Sequence, residues 1–272
     1  MEFSLMTMPA PTLEYDVSSP PVTALGVSYN DQQLDQILSG PVKTILLDTA
    51  GQEELTGLLA SLVTTDFEQG ELAGVLAEEQ EYEDWLVGEA IAEAFVADRG
   101  GCEYPWPTSR DLKNSNASPA GCDLTGLQLL DDQELPYRFS FGEVKTSYAQ
   151  NSPPSVMTSL GNQLFGLRDD KSVKKDLVLY LGRHAVGKPW LSKYQSAATR
   201  YFRSGGTDIA VYGVLVRDTV PNEADIRGKA QDLSVNCPEV TDIELHAVHI
   251  PAGEITNLPA RAQSAMNDEG AA

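Results

Sequence analysis

The run Tyr137-Arg-Phe-Ser-Phe-Gly-Glu-Val-Lys145 constrains this chain more than any other stretch. Aromatic and β-branched residues cluster in it, and Pro136 stops any earlier start, so it reads as a strand. Side chains alternate along a strand, which puts Glu143 and Lys145 on one face and Val144 on the other. A second strand-like run, Cys122 to Leu129, opens on Asp123. Asp131 and Asp132 supply a turn through which the two runs pair as a hairpin. Two carboxylates and one ammonium then converge at the end of a small sheet. That set suits holding an oxygen-seeking ion such as Mg²⁺ beside a phosphate and orienting a water to attack it. A Glu-x-Lys pair on a solvated sheet edge is the alternative. Phe139, Phe141, Val144, Leu127 and Leu129 speak for central, half-buried strands instead.

An aspartate, a gap of some twenty residues and Glu-x-Lys on a strand together resemble the PD-(D/E)xK nuclease superfamily. The resemblance rests on Asp123, Glu143 and Lys145, with Gly121-Cys122-Asp123 on the first strand and Gly142 before the glutamate. Cys122 stands where the superfamily pattern has proline. What the resemblance implies is an α/β, restriction-endonuclease-like core, a central mixed sheet flanked by helices. It further implies Mg²⁺ or Mn²⁺ held by the two acids, with the lysine assisting the attacking water or the scissile phosphate.

Glu83 to Ala97 reads as a helix with Trp85, Ala92 and Val96 on one stripe. Glu89 lies on that apolar stripe, where a carboxylate needs a partner. In many nucleases of this superfamily the helix before the first core strand gives a glutamate to the metal, which makes Glu89 the third expected ligand and Glu93 the reserve. A boundary residue whose carboxylate reaches out to water is the other reading. Gln163, on a helix expected from Ser155 to Leu167, is a further candidate by the same resemblance, with core packing as the alternative.

The segment from about Glu89 to Gly166 resembles more closely the nuclease subunits of the Hachiman anti-phage defence systems. It carries a helix glutamate, an Asn-rich loop, Gly-x-Asp and Phe-Gly-Glu-Val-Lys-Thr-Ser. Members of that family pair with a superfamily 2 DNA helicase, so the resemblance implies a DNA endonuclease restrained by a helicase partner. A stand-alone homodimeric restriction or repair nuclease and a non-catalytic nuclease-fold binding module are the competing readings.

Charge bears on that choice. Nineteen basic against forty acidic residues give −21, a poor balance for approaching DNA alone. Nine of the nineteen cations lie between Phe165 and Arg203, interleaved with Trp190, Tyr194, Tyr201 and Phe202. A helix capped by Ser192 would place Lys193, Arg200 and Arg203 near one face, able to follow a phosphate backbone. The alternative is a solvated helix whose cations pair with the chain's own acids. Arg110 and Lys113, in a polar loop from Gly100 to Ala120 beside Asp123, are further phosphate candidates. Asp66 to Glu103 holds twelve acids and one arginine, a face that repels DNA and suits a basic partner.

The remaining expectations are coarser. The 272 residues are expected to divide into an N-terminal extension packed on the core (1–75), a nuclease core (76–250) and a flexible tail (251–272). Within the extension, residues 1 to about 20 read as irregular, Thr23 to Tyr29 and Val42 to Leu47 as strands, Glu53 to Val63 as a helix, and Asp66 to Gly74 as a loop or broken helix. Thr207 to Val216 and Ile243 to Ile250 read as strands, the latter carrying His246 and His249. Three cysteines without a CxxC disfavour a disulfide framework or a zinc site. No window approaches a membrane span and no secretory signal is visible, so a cytoplasmic protein is expected. Walker and Gly-rich dinucleotide motifs are absent from the sequence.

Overall fold

The computed structural model describes residues 7–76, 82–111 and 121–267. Its strands are β1 (Thr12–Asp16), β2 (Val22–Ser28), β3 (Cys102–Glu103), β4 (Leu124–Leu129), β5 (Tyr137–Ser147), β6 (Ile209–Arg217) and β7 (Asp242–His249). They form one seven-stranded mixed sheet in the order β1-β2-β7-β6-β5-β4-β3. The four central strands, β2, β7, β6 and β5, run parallel, while β1, β4 and β3 are antiparallel to their neighbours. β6 is buried along its whole length, as expected of a parallel strand covered on both faces, and its sequence is accordingly an almost unbroken apolar run.

The helices are α1 (Asp31–Ile37), α2 (Lys43–Leu47), α3 (Thr49–Ala60), α4 (Asp66–Leu76), α5 (Asp84–Gly100), α6 (Val156–Asp169), α7 (Lys171–Ala185), α8 (Leu191–Arg203), α9 (Arg227–Ser234) and α10 (Leu258–Asn267). Two apolar cores result. One joins α1, α2, α5 and α10 to the sheet face bearing Val144, Tyr212 and Val214; the other joins α6 to α9 to the face bearing Phe139, Phe141 and Val211. The protein is thus α/β, with helices on both sides of a mixed sheet.

Several expectations are corrected. Val42 to Leu47 is helical, not a strand. Leu34, Ile37, Leu38, Val42 and Leu46 form one buried helical stripe that runs through a π-type turn at Leu38–Val42 containing Pro41. The β-branched look of the segment hid that period. Residues 12–16 are an edge strand, where nearby prolines are tolerated. Asp66–Leu76 is a continuous helix despite Gly70 and Gly74. Within the segment after Pro251, Leu258–Asn267 is a helix, α10, and Leu258 and Ala262, four residues apart, bury one side of it in the core. Nor does the N-terminal part sit on the outside of a finished core: β2 pairs with β7 inside the sheet. Ser192 caps nothing, since α8 starts at Leu191 without a side-chain cap. Among the described residues no helix is long and apolar enough to cross a membrane.

Candidate active site

Asp123, Glu143 and Lys145 come together at the carboxyl end of β5. β4 and β5 pair antiparallel with Leu124 opposite Gly142, which places Asp123 beside the segment that carries Glu143. Two small residues make the approach possible. Gly121 has a φ of 121°, a backbone that other residues rarely adopt. At Gly142, a β-carbon would lie 2.9 Å from the Tyr212 carbonyl oxygen on β6. Cys122 closes the corner: its Sγ accepts the Gly142 N–H at 3.2 Å and lies 2.9 Å from the Gly142 carbonyl oxygen. Burial holds this thiol far above its ordinary range, so it stays neutral and structural.

The Lys145 ammonium stands 3.7 Å from Asp123 Oδ2 and 3.7 Å from Glu143 Oε2. Asp123 Oδ2 also accepts the Val144 N–H at 2.7 Å, which fixes the carboxylate across the strand pair. Glu143 is 4% exposed, and its Oε2 is buried without a hydrogen-bond partner. Burial, and then the neighbouring charge of Asp123, push its carboxyl up to about 8, with Lys145 acting in the opposite sense. Glu89, half-buried on α5, is pushed up to about 8 by burial and by Asp123, again offset by Lys145. Glu89 therefore belongs to the same electrostatic cluster. Glu93, one turn further on, is raised to about 7 by burial and by Asp48.

α5 reaches this position through Gly88. A β-carbon there would fall 2.0 Å from the Thr146 hydroxyl, so only glycine lets the helix lie against β5 one residue beyond Lys145. Gly88 is a feature the sequence reading missed, although a glycine inside a strong helix next to a buried glutamate was a usable signal. The exit of β5 is also tied down. Arg217, in register with Ser147 and fully buried, binds Asp225 at 2.5 Å and the carbonyls of Ala149 and Asn151. No sequence signal joins those positions.

The basic candidates are placed differently. Arg110 grips Asp48 with two nitrogens, at 2.6 and 2.7 Å. Lys193 binds Glu103, Arg200 binds Asp132 at 3.0 Å and Asp208 at 3.3 Å, and Arg203 binds Glu134 at 3.1 Å. All three cations lie on α8, and their partners are Glu103 of β3, Asp132 and Glu134 of the loop after β4, and Asp208 just before β6. Lys113 lies outside the described residues. Gln163 accepts a hydrogen bond from Ser159 of its own helix at 3.3 Å.

The oxygen donors of Glu89, Asp123 and Glu143 fit a hard divalent cation, and a buried carboxylate oxygen without a hydrogen bond, as at Glu143, is what such an ion would satisfy. Among the described residues no three Asp, Glu, His or Cys side chains are grouped tightly enough to cage an ion as they stand. No protein-family model and no curated protein matches this sequence.

Proposed function

We propose that this chain is a metal-dependent DNA endonuclease with a restriction-endonuclease-like core, acting as the effector subunit of an anti-phage defence complex. The observation that carries the reading is the triad at the end of β5: one ammonium equidistant from two carboxylates, one of which is buried and meets that ammonium without a hydrogen bond. Raised carboxyl pKa values driven by burial and mutual repulsion mark groups that a cation would relieve. A bound Mg²⁺ or Mn²⁺ would supply Lewis acidity at the phosphate and a water of lowered pKa.

The protein's own residues do the rest. Glu143, Asp123 and Glu89 would hold the ion, Asp123 being oriented by the Val144 N–H. Lys145, between the two carboxylates, presents an ammonium where negative charge grows on a phosphate undergoing attack. Phe139 and Phe141 in one core and Val144 in the other bury β5 on both faces and keep it rigid.

The substrate would be delivered by a DNA-translocating helicase. Two observations support this: the net charge of −21, and the engagement of Arg110, Lys193, Arg200 and Arg203 with carboxylates of their own chain. Each would have to exchange an internal partner for a phosphate, so they add little affinity. Nicking of supercoiled plasmid in Mg²⁺ by the chain with its helicase tests the activity. Asp123→Ala, Glu143→Ala and Lys145→Ala should each reduce the rate by about a hundredfold or more. Full activity in any of the three overturns the site.

A further inference from the structure

α3 and α4 form a hairpin that buries no residue of its own. Leu58 on α3, Leu62 in the turn, and Phe67 and Val75 on α4 are 61 to 76% exposed. The amphipathic rule for a helix on a finished core is broken here, because the apolar side chains face water. Around them stand Glu53, Glu54, Asp66, Glu68 and Glu71, with no lysine or arginine between Thr44 and Asp98.

The base of the hairpin is tied to the rest of the fold by ion pairs. Asp48 ends α2 and caps α3, and its carboxylate is the one gripped by Arg110 in the loop ahead of Asp123. The same carboxylate raises Glu93, one turn from Glu89. Glu54 on α3 reaches Lys188 at 3.5 Å.

We infer that the α3–α4 hairpin is the docking surface for a partner protein that presents lysines and arginines around apolar side chains. Charge complementarity selects this occupant. A second copy of the chain would set acidic hairpin against acidic hairpin, and nucleic acid or an anionic membrane would be repelled. The exposed leucines and Phe67 supply the apolar centre of such an interface, and the carboxylates its steering rim.

The inference rests on the partner reading above, and the two can fail separately. Binding of the full chain to the superfamily 2 helicase proposed above as its partner is measured by interferometry for wild type, Leu58→Glu/Phe67→Glu and Glu53→Gln/Glu71→Gln. All substituted positions are exposed, so thermal midpoints should stay near wild type. The apolar pair should weaken binding by about tenfold or more, and the charge pair should slow association and flatten its salt dependence. If both variants bind as wild type does, the docking surface is overturned and the partner survives. If wild type cuts DNA but never binds the helicase, the partner falls and the docking surface with it. Sedimentation of the chain alone adds a third outcome: self-association lost in Leu58→Glu/Phe67→Glu would assign the hairpin to a second copy and overturn the inference.

Discussion

Protons on Glu89 and Glu143 give the cluster a measurable signature. Burial and Asp123 raise both carboxyls from an ordinary 4.5 to about 8. Between those values the folded chain binds more protons than the unfolded one, so stability falls as pH rises. In EDTA the thermal midpoint should drop between pH 5 and 8, and Glu143→Gln should flatten the drop. A wild-type midpoint that stays level or climbs over that interval contradicts the geometry. Mg²⁺ should raise the midpoint more at pH 8 than at pH 6, because deprotonated carboxylates bind it better. Arg217 offers a second test. Arg217→Met leaves Asp225 charged, fully buried and unpaired, at a cost of about 3–5 kcal/mol by urea unfolding, whereas Arg217→Met with Asp225→Leu should recover much of that loss.

At the scale of elements, α5 and α8 make opposite predictions. Gly88→Ala puts a methyl group onto Thr146 and should cost about 1–3 kcal/mol, while displacing Glu89 and lowering cleavage further than the stability loss explains. On α8, Lys193→Gln with Arg200→Gln should leave the salt slope of DNA binding unchanged, because these cations answer Glu103, Asp132 and Asp208. A shallower slope would restore them as phosphate contacts. The same elements show what a sequence discloses. The β4–β5 hairpin and its triad were legible because strand alternation and short spacing put Glu143, Lys145 and Asp123 within local reach. The partners of α8 were not, since Lys193 meets Glu103 from ninety residues away, and nothing in a helix's own period says which acid it will face. The helix at Val42 to Leu47 was misread for a related reason: its buried stripe continues across Pro41 from Leu34, beyond the window that looked like a strand.

For the whole molecule, the −21 charge should dominate how the chain meets DNA. The isolated protein is expected to cut duplex DNA slowly even in Mg²⁺, and to gain rate when the helicase engages DNA with ATP. Cleavage rates for the chain alone and with the helicase, each with and without ATP, decide this. Vigorous cleavage by the chain alone would mark a stand-alone endonuclease.

The position of β2 in the sheet bears on how the fold comes into being. β2 hydrogen-bonds β7, about 220 residues further along the chain, whereas β4 and β5 are joined by a short loop. On a ribosome the hairpin bearing Asp123, Glu143 and Lys145 can pair early, but the sheet stays open at its β2 side until β7 has emerged. Closure must then overcome the entropy of a very long loop. A chain interrupted before β7 would carry all its candidate catalytic residues on a sheet without the β7 and β2 strands beside β6. Synthesis itself would then delay completion of the sheet that carries the candidate site until β7, the last of the described strands, has emerged.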